Sequence, residues 1–527
     1  MDSLETLKSR LTPYAPAFLQ LSLWASLWFS LQPGNIENIG SATSFWAEIQ
    51  NLRAGVPLLS GLVGIVVIGS GLVNRKTCKG FFFGPLSLMV AYGLVGIVST
   101  LRSPDFTIAI YWVGIYLAVP LVAWAIISRG DPLARASNLL RFNWIVVIAG
   151  VVVLLVVAFL FLNLHKIILE PSNLLECRLR SPFHGESWFA LTSEKLRSTG
   201  VGRYAAIAGI LALGGMWHGR GRYLWGLLFV GAMLLLLTSG ARASYVGFAF
   251  AAPLVIFLHG GWKAFLAASG GLAIVWVIFW SFGLDKTILD KCLLSAYDPS
   301  SSALRISPTS SATLPALDPT PDPGSVGDPS SVTIVESSSD PGGDQSSVRR
   351  SGSGSVLDIP QVITITEEEP DVIFGRIVIP EGTYSFSGRT VVWKASWDFL
   401  KQSPFLGYGF QGDRLILGTH IHNAMLHALF QTGWIGFIPF AGALIWGWIL
   451  LVRSLIALSR LPLVHKHLVI QTAGILTFLT FRTIWESSGA FFGIDWFILA
   501  GVYLYIQLID SELRENPKFA AGEASSV

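Results

Sequence analysis

The chain has 527 residues, of which 52% are hydrophobic and 13% are charged, and its formal net charge is +3. Soluble globular proteins carry about 25% charged residues, so this chain has too little charge to cover a water-facing surface. The composition therefore excludes a soluble globular protein. The mean hydropathy of +0.58 indicates instead a chain that lies largely within a lipid bilayer.

Long apolar runs recur along the chain, and most are long enough to cross a hydrocarbon core about 30 Å thick. We expect about twelve membrane spans, each placed to within a few residues. The expected spans are 16–33, 56–73, 82–100, 106–128, 142–163, 201–217, 222–238, 245–259, 263–282, 434–452, 467–488 and 491–508. The predicted fold class is an all-α integral membrane protein with one large loop between the ninth and tenth spans.

The spans divide the chain into four parts. These are spans one to nine at 1–282, the long loop at 283–433, spans ten to twelve at 434–510, and a tail at 511–527. Within the long loop, Ser, Pro, Asp and Gly dominate residues 297–358, which cannot bury enough apolar surface to offset their chain entropy. We expect that insert to be disordered and residues 360–433 to be structured and to include short helices.

Basic residues in the short loops predict the orientation, because such residues collect on the cytoplasmic side. The loops that follow the even-numbered spans are basic, whereas the opposite short loops hold single arginines: Arg53, Arg102, Arg242 and Arg482. This pattern puts both termini in the cytoplasm and the long loop on the outer face. No small-residue cleavage site follows the first apolar run, so we expect the first span to be retained.

Two cysteines are expected on the outer face. Cys177 lies in the loop 164–200 and Cys292 lies in the long loop. Because an outer compartment is oxidising, a disulfide between them is a hypothesis. The same loop 164–200 carries several basic residues despite its side, and these either contact an anionic ligand or are ordinary solvated charges.

The structured part of the long loop begins with short strands. The segment VIFGRIVIPEGTYSFSG predicts a hairpin around Glu381 and Gly382. A helix follows from Arg389, in which Trp393, Trp397 and Leu400 are spaced as one stripe. We interpret it as an amphipathic helix on the membrane surface that Pro404 ends.

The next segments predict a tight loop and a second helix. Gly407 and Gly409 in PFLGYGF permit a tight backbone path. A helix is expected to start near Thr419–His422 and to end near Gly433, with His422 and Asn423 in its first turn. Free N–H groups and the helix dipole favour negative charge at that position.

Histidines at 420, 422 and 427 raise the question of a metal site. Their spacing does not bring all three to one helix face, and the sequence suggests no nearby carboxylate or cysteine that completes a set. We therefore expect no metal and no cofactor.

Three segments together resemble the O-antigen ligase and polymerase superfamily of integral membrane glycosyltransferases. These are LLLLTSGARASYVGF at 234–248, GRTVVWKASWDFLKQSPFLGYGF at 388–410 and HNAMLHALFQTGWIGF at 422–437. Their order and the long loop between late spans also match. The chain departs from the family pattern at Ala241, where the family has Ser, and in the insert 297–358.

The resemblance implies transfer of a glycan from a polyprenyl-diphosphate carrier to a glycan, lipid or protein acceptor hydroxyl. It implies His422 as the catalytic base and Arg242, Arg389 and Arg482 as diphosphate ligands, which fits the affinity of guanidinium groups for diphosphates. The implied supporting residues are Asn423, Gly407, Gly409 and Trp393. The implied location is the bacterial inner membrane, with the lipid bilayer and no nucleic acid as a partner.

Several alternatives stay open at this stage. The glycosyltransferase could be a ligase of finished chains or a polymerase of lipid-linked repeats. A small-anion transporter is the competitor from another class, although transporters usually place ionisable residues near the bilayer midplane and these spans are nearly free of charge there. A non-catalytic polysaccharide-binding scaffold is a third. For single residues, the arginines and Trp393 could be interfacial anchors, and His422 could be a helix cap.

Overall fold

A computed structural model describes most of the predicted spans and the part of the long loop that follows the insert. The described residues are 15–28, 51, 53–69, 83–128, 130–160, 198–217, 221–239, 241–281, 372–374, 377–379 and 389–515. Residues 164–197, Cys177, Cys292, the insert 297–358 and both chain ends lie outside them, so the expectations for these segments stay predictions.

Helices dominate the described part of the chain. Its α-helices are α1 Ala15–Trp28, α2 Val56–Gly69, α3 Pro85–Ser99, α4 Phe106–Ile127, α5 Pro132–Leu160, α6 Ser198–Met216, α7 Arg222–Ser239, α8 Arg242–Ser281, α9 Arg389–Leu400, α10 Gly412–Leu417, α11 Ala424–Ile456, α12 Leu463–Thr483 and α13 Ile494–Glu515. Short 3-10 helices lie at Arg53–Gly55, Thr100–Arg102 and Leu458–Arg460. Two three-residue strands, β1 Val372–Phe374 and β2 Ile377–Ile379, complete the described elements.

Seven helices in the described residues are long and apolar enough to cross a membrane. They span Pro85–Arg102, Phe106–Ile127, Pro132–Phe159, Arg222–Ser239, Arg242–Gly270, Ala424–Ile456 and Ile494–Glu515. Helices satisfy every backbone hydrogen bond internally, which is why apolar chains cross the bilayer in this form. The multi-pass membrane architecture follows, while the count of twelve spans stays a prediction.

Helix α13 lies at the centre of the bundle. In its apolar window, 94% of the residues are buried, and it packs against α4, α5, α11 and α12. The Trp496 ring stacks on Tyr116 at a centroid distance of 4.6 Å, and Trp496 Nε1 donates to the Tyr116 carbonyl at 3.0 Å. This packing fixes the N-terminal end of α13, which carries Asp495.

The ends of several helices meet at one end of the bundle. Arg102 after α3 donates from Nη1 to Ser403 Oγ at 3.2 Å, beyond α9. Gly202 in the first turn of α6 packs closely against Ala241, which directly precedes α8. Arg203 Nη1 lies 3.2 Å from Asp495 Oδ1 on α13. Residues 100–105 and 241–242, from two of the single-arginine loops, therefore lie at the same end as residues 389–423.

Some predicted boundaries were wrong. Helix α5 begins at Pro132 instead of 142, so Arg135 and Arg141, which the prediction put in the basic loop after the fourth span, lie on the helix. Helix α12 ends at Thr483 instead of 488, because the chain turns through residues 484–493 before α13 begins. The boundary between predicted spans eight and nine agrees with the structure, since two helices meet at a kink at Gly261, whose φ is 67°.

The segment of the predicted hairpin contains two short paired strands. Val372 pairs with Ile379 and Phe374 with Ile377 in an antiparallel ladder. Glu381 and Gly382 lie outside the described residues, so the predicted turn at these two residues stays a prediction. The apolar residues on both sides of Gly375 supply the two pairing strands.

Candidate active site

His422 and Asn423 lie at the N-terminal end of helix α11. Asn423 is the cap residue, and its side-chain oxygen accepts a hydrogen bond from the Leu426 amide at 2.9 Å. The expectation that both residues occupy the first helical turn was wrong, because the helix begins at Ala424. Asn423 instead satisfies the free N–H of Leu426 from outside the helix. His422 precedes the cap with a φ of 49°, a left-handed conformation that is rare for residues other than glycine.

The turn after α12 contacts this helix end. Asn423 Nδ2 donates to the Ile484 carbonyl at 3.0 Å, so one asparagine both caps α11 and holds the turn. Glu486 in the same turn accepts from His422, with 3.3 Å between Oε2 and Nδ1. The His422 side chain is 39% exposed, whereas that of Glu486 is 13% exposed. Because Nδ1 faces the carboxylate, Nε2 is the ring nitrogen that can meet a ligand.

Glu486 is ionised at this site. Burial alone would raise its pKa, but the hydrogen bond from His422 and the charges of Arg482, His422 and Arg389 outweigh burial and lower the pKa to about 2. A carboxylate that stays charged throughout the physiological range can hold a histidine Nδ1–H in one orientation. The pair therefore has the geometry of a base and the group that orients it.

Arg389 and Trp393 attach helix α9 to this site. Arg389 Nη1 donates to the Trp485 carbonyl at 3.0 Å, and Nη2 lies 4.0 Å from Glu486 Oε1. Trp393 Nε1 donates to the Ile421 carbonyl at 2.7 Å, directly before His422. The Arg389 side chain is 28% exposed, so its guanidinium still offers donors to a ligand beside His422.

The predicted helix at 389–400 is confirmed, but its buried face differs from the expected stripe. Trp397 is half exposed and Leu400 is buried, so the two do not share one environment. The buried face of α9 packs against α10 and α11, because Trp393 and its neighbours complete the small core around Phe430. Whether α9 also touches a membrane surface stays a prediction.

Two glycines connect the loop after α9 to a break in helix α11. Gly433 interrupts the helix with φ 59° and ψ −166°, and Gly407 has a φ of 64°. The loop binds the backbone groups that the break leaves free: Tyr408 N donates to Phe430 O at 2.9 Å, Gly409 N to Gln431 O at 2.8 Å, and Trp434 N to Pro404 O at 2.8 Å. The Pro-x-x-Gly-x-Gly segment therefore fixes the N-terminal part of α11, which carries the site.

Gly433→Ala is expected to destabilise the protein. An added Cβ would clash with the backbone of Phe405, and the φ and ψ of Gly433 are strained for any other residue. We expect the free energy of unfolding to fall by about 3 kcal/mol, measured by thermal unfolding in detergent. Gly442→Ala is the matched control, because that helical position meets only the end of Leu88 at 3.2 Å. Equal unfolding temperatures for the two variants would contradict this account of the break.

Arg482 occupies a different position from the other predicted arginines. Its side chain is buried, and Nη1 donates to the Asp495 carboxylate and to Ser488 Oγ, the latter at 3.1 Å. Arg203 contacts the other carboxylate oxygen of Asp495. Arg482 thus links α12 to α13 and stands behind Glu486, with little of its surface open to a ligand.

Arg242 is exposed at the first position of α8. Helix α8 packs against α12, with the Phe250 and Phe481 rings stacked 3.8 Å apart. Arg242 therefore lies at the end of the bundle that carries His422. Within the described part of the chain, no hydrogen bond or ion pair joins Arg242 to His422 or Arg389.

A second polar cluster lies behind His422. Asp413 of α10 accepts a hydrogen bond from His420, with 2.8 Å between Oδ2 and Nδ1, and His427 Nε2 lies 3.6 Å from Oδ1. Burial would raise the pKa of Asp413, but the charges of His427, His420 and Arg414 and the hydrogen bond from His420 hold it well below its usual range. Burial lowers the pKa of His420, although its hydrogen bond to Asp413 acts in the opposite direction. The expectation that no carboxylate lies near these histidines was wrong.

Sequence reasoning missed three acidic residues. Glu486, Asp413 and Asp495 contact His422, His420 and Arg482 respectively. Each is a carboxylate in or beside an apolar segment, which is costly without a partner. A carboxylate in such a position therefore signals that it has a partner, although it does not identify which residue the partner is.

A comparison with protein families matches the part of the chain that contains most of these residues. Residues 359–441 match the family described as O-Antigen ligase, and this segment includes Arg389, Trp393, His422 and Asn423. No curated protein matches the chain. The matched segment includes two of the three motifs that carried the resemblance, at 388–410 and 422–437, whereas the motif at 234–248 lies outside it. The chain is therefore a multi-pass membrane protein whose residues 359–441 are similar to the O-Antigen ligase family.

Proposed function

We propose that the protein transfers a glycan from a polyprenyl-diphosphate carrier to an acceptor hydroxyl at the outer face of a bacterial inner membrane. The observation that carries the proposal is the pairing of His422 with Glu486 beside Arg389, within a segment that matches the O-Antigen ligase family. That family implies a glycosyltransferase-like enzyme with a lipid-linked donor and a glycan acceptor.

In the proposed reaction, the acceptor oxygen attacks the anomeric carbon of the donor glycan. The bond between that carbon and the diphosphate oxygen breaks, and the diphosphate leaves with the bonding electron pair. His422 Nε2 takes the proton from the acceptor hydroxyl, since Nδ1 is held by Glu486. One new glycosidic bond and one polyprenyl diphosphate result from each transfer.

Arg389 is the proposed principal ligand of the leaving diphosphate. Its guanidinium is partly exposed beside His422, and a planar guanidinium binds phosphate oxygens with two parallel hydrogen bonds. Arg242 is the proposed second ligand, because it is exposed at the same end of the bundle. Arg482 acts behind them by fixing Asp495 and adding positive charge next to Glu486. Because the arginine charges can stabilise the leaving diphosphate, this step requires no metal ion.

Glu486 is proposed as a positioning residue that acts through His422. Glu486→Ala should lower kcat by about 100-fold, because a base that loses its orientation gives up much of its catalytic contribution. Glu486→Gln keeps an acceptor oxygen for Nδ1 and should recover most of that loss. The KM for the donor should change much less than kcat in both variants. Equal losses in the alanine and glutamine variants would contradict an orienting role.

The proposed class is tested with purified protein in detergent, a polyprenyl-diphosphate oligosaccharide and a panel of hydroxyl acceptors, with and without a chelator. Formation of a glycosylated acceptor supports the proposal, and failure with every acceptor opposes it. A small-anion transporter would instead move labelled anions into proteoliposomes without consuming the lipid-linked donor.

A deletion strain separates the ligase from the polymerase. Long unattached polymer should accumulate if the protein is a ligase, because chains are finished and never transferred. Loss of long polymer would indicate a polymerase of lipid-linked repeats. We favour the ligase because the matching family is described as O-Antigen ligase.

A further inference from the structure

The cluster of Asp413, His420 and His427 brings metal-ligand atoms to one point. Each residue offers one such atom, and the three atoms lie within 4.8 Å of one another. Two imidazole nitrogens and a carboxylate oxygen are a donor set that suits Zn²⁺ and related divalent ions. The three residues come from α10, from the segment before α11 and from α11 itself.

The spacing of these atoms fits a tetrahedral ion. Bonds of 2.0–2.2 Å at tetrahedral angles put neighbouring donor atoms about 3.3–3.6 Å apart. The carboxylate of Asp413 lies 2.8 Å from His420 Nδ1 and 3.6 Å from His427 Nε2. Since the ligand atoms are as much as 4.8 Å apart, side-chain movements of about 1 Å would bring them to the distances that an ion requires.

The buried polar atoms of the cluster are incompletely paired. Asp413 and His427 are both fully buried, yet Asp413 Oδ1 and His427 Nδ1 have no hydrogen-bond partner among the residues that the structure describes. Within those residues, the ion-pair partners of Asp413 are the two histidines, and no arginine or lysine lies within 4.0 Å of its carboxylate. A buried carboxylate without a permanent cation is costly, and a divalent ion would supply the missing charge.

Gln431 offers a fourth donor. Its Nε2 lies 2.6 Å from His427 Nε2, and its Oε1 accepts a hydrogen bond from the Tyr92 hydroxyl at 2.6 Å. Tyr92 has a single hydroxyl hydrogen, which the Ala490 carbonyl at 2.8 Å can accept. Rotation of the Gln431 amide by 180° would then let its NH₂ donate to the Tyr92 oxygen and would turn Oε1 toward the cluster.

We propose that Asp413, His420 and His427, with the Gln431 oxygen, bind one divalent cation of the zinc class. The ion would join three chain segments and would fix the backbone on both sides of His422, which lies between two of the ligands in the sequence. Because Asp413 and His427 are fully buried, the ion has no access to a diphosphate. The site is structural and is separate from the proposed transfer step.

The test uses the full chain, purified with a tag that contains no histidine, stripped with a chelator and titrated with ZnCl₂. We expect one zinc per chain by mass spectrometry of the metal and by calorimetry. Asp413→Asn and His427→Gln should each weaken zinc binding by at least about 100-fold, since even outer-shell changes cost about 10- to 100-fold. His422→Gln is the matched control that should keep the zinc.

Cobalt substitution gives a readout that does not depend on the variants folding. Wild-type protein loaded with Co²⁺ should show the visible absorption of tetrahedral coordination. The inference is overturned if folded wild-type protein binds less than about a tenth of an equivalent of zinc and gives no such absorption. Undiminished binding in both ligand variants would overturn it as well.

Discussion

His422→Ala is expected to abolish glycan transfer while the protein still folds and inserts. General-base catalysis contributes about 10²- to 10⁴-fold to a rate, so the residual rate should lie at least about 100-fold below wild type. The side chain is partly exposed and its ring bonds to Glu486, and no large core contact is lost. Expression and thermal unfolding in detergent should therefore stay close to wild type.

The control for this variant is a histidine at the opposite end of the bundle. His467 lies in the first turns of α12, far along that helix from Arg482, so His467→Ala should keep full transfer. Wild-type activity in His422→Ala would remove the base assignment, even if the family assignment stood. If His422→Ala also lost the folded protein, His422→Gln, which keeps polar bulk, would decide the matter. Regained transfer in His422→Gln would attribute the loss to stability, whereas a folded and inactive His422→Gln would support the base assignment.

Arg389 is expected to give the second largest effect. Charge-assisted hydrogen bonds contribute about 1.5–3 kcal/mol each, so Arg389→Ala should lower kcat/KM for the lipid-linked donor by about 10- to 100-fold. Arg389→Lys keeps the charge but loses the planar fork and should fall between alanine and wild type. The measurement is initial rate against donor concentration, with the acceptor saturating.

Arg222 provides the matched comparison. It lies at the start of α7 at the opposite end of the bundle and contacts the neighbouring Tyr223. Arg222→Ala should leave kcat/KM unchanged. Two results together would contradict the assignment: equal losses of activity in Arg389→Lys and Arg389→Ala, and a rise in the KM for the acceptor instead of the KM for the donor. Arg389 would then be an acceptor ligand and not a diphosphate ligand.

Local patterns in the sequence predicted much of the scaffold around the site. The helix that starts at Arg389 and the interruption of α11 at Gly433 both appear in the structure. These features depend on residues that are close in the sequence: the spacing of apolar residues, a proline after the helix and a glycine at the interruption. The motif segment 388–437 also led to the family that residues 359–441 match.

Contacts between distant segments could not be predicted in the same way. Glu486 meets His422 across 64 positions of sequence, and the turn that carries it was assigned to a span because its flanks are apolar. Asp413 lies only seven positions before His420, but a short helix and a reversal bring the two side chains together. The left-handed backbone at His422 also has no sequence signal, since residues other than glycine rarely adopt it.

The most direct test of the account measures both products of a single reaction. Purified wild-type protein and His422→Ala would be incubated side by side with a polyprenyl-diphosphate oligosaccharide and a hydroxyl acceptor. The account predicts that wild type forms glycosylated acceptor and free polyprenyl diphosphate in equal amounts and that the variant forms neither. Release of the diphosphate without a glycosidic bond, or equal product from both proteins, would contradict it.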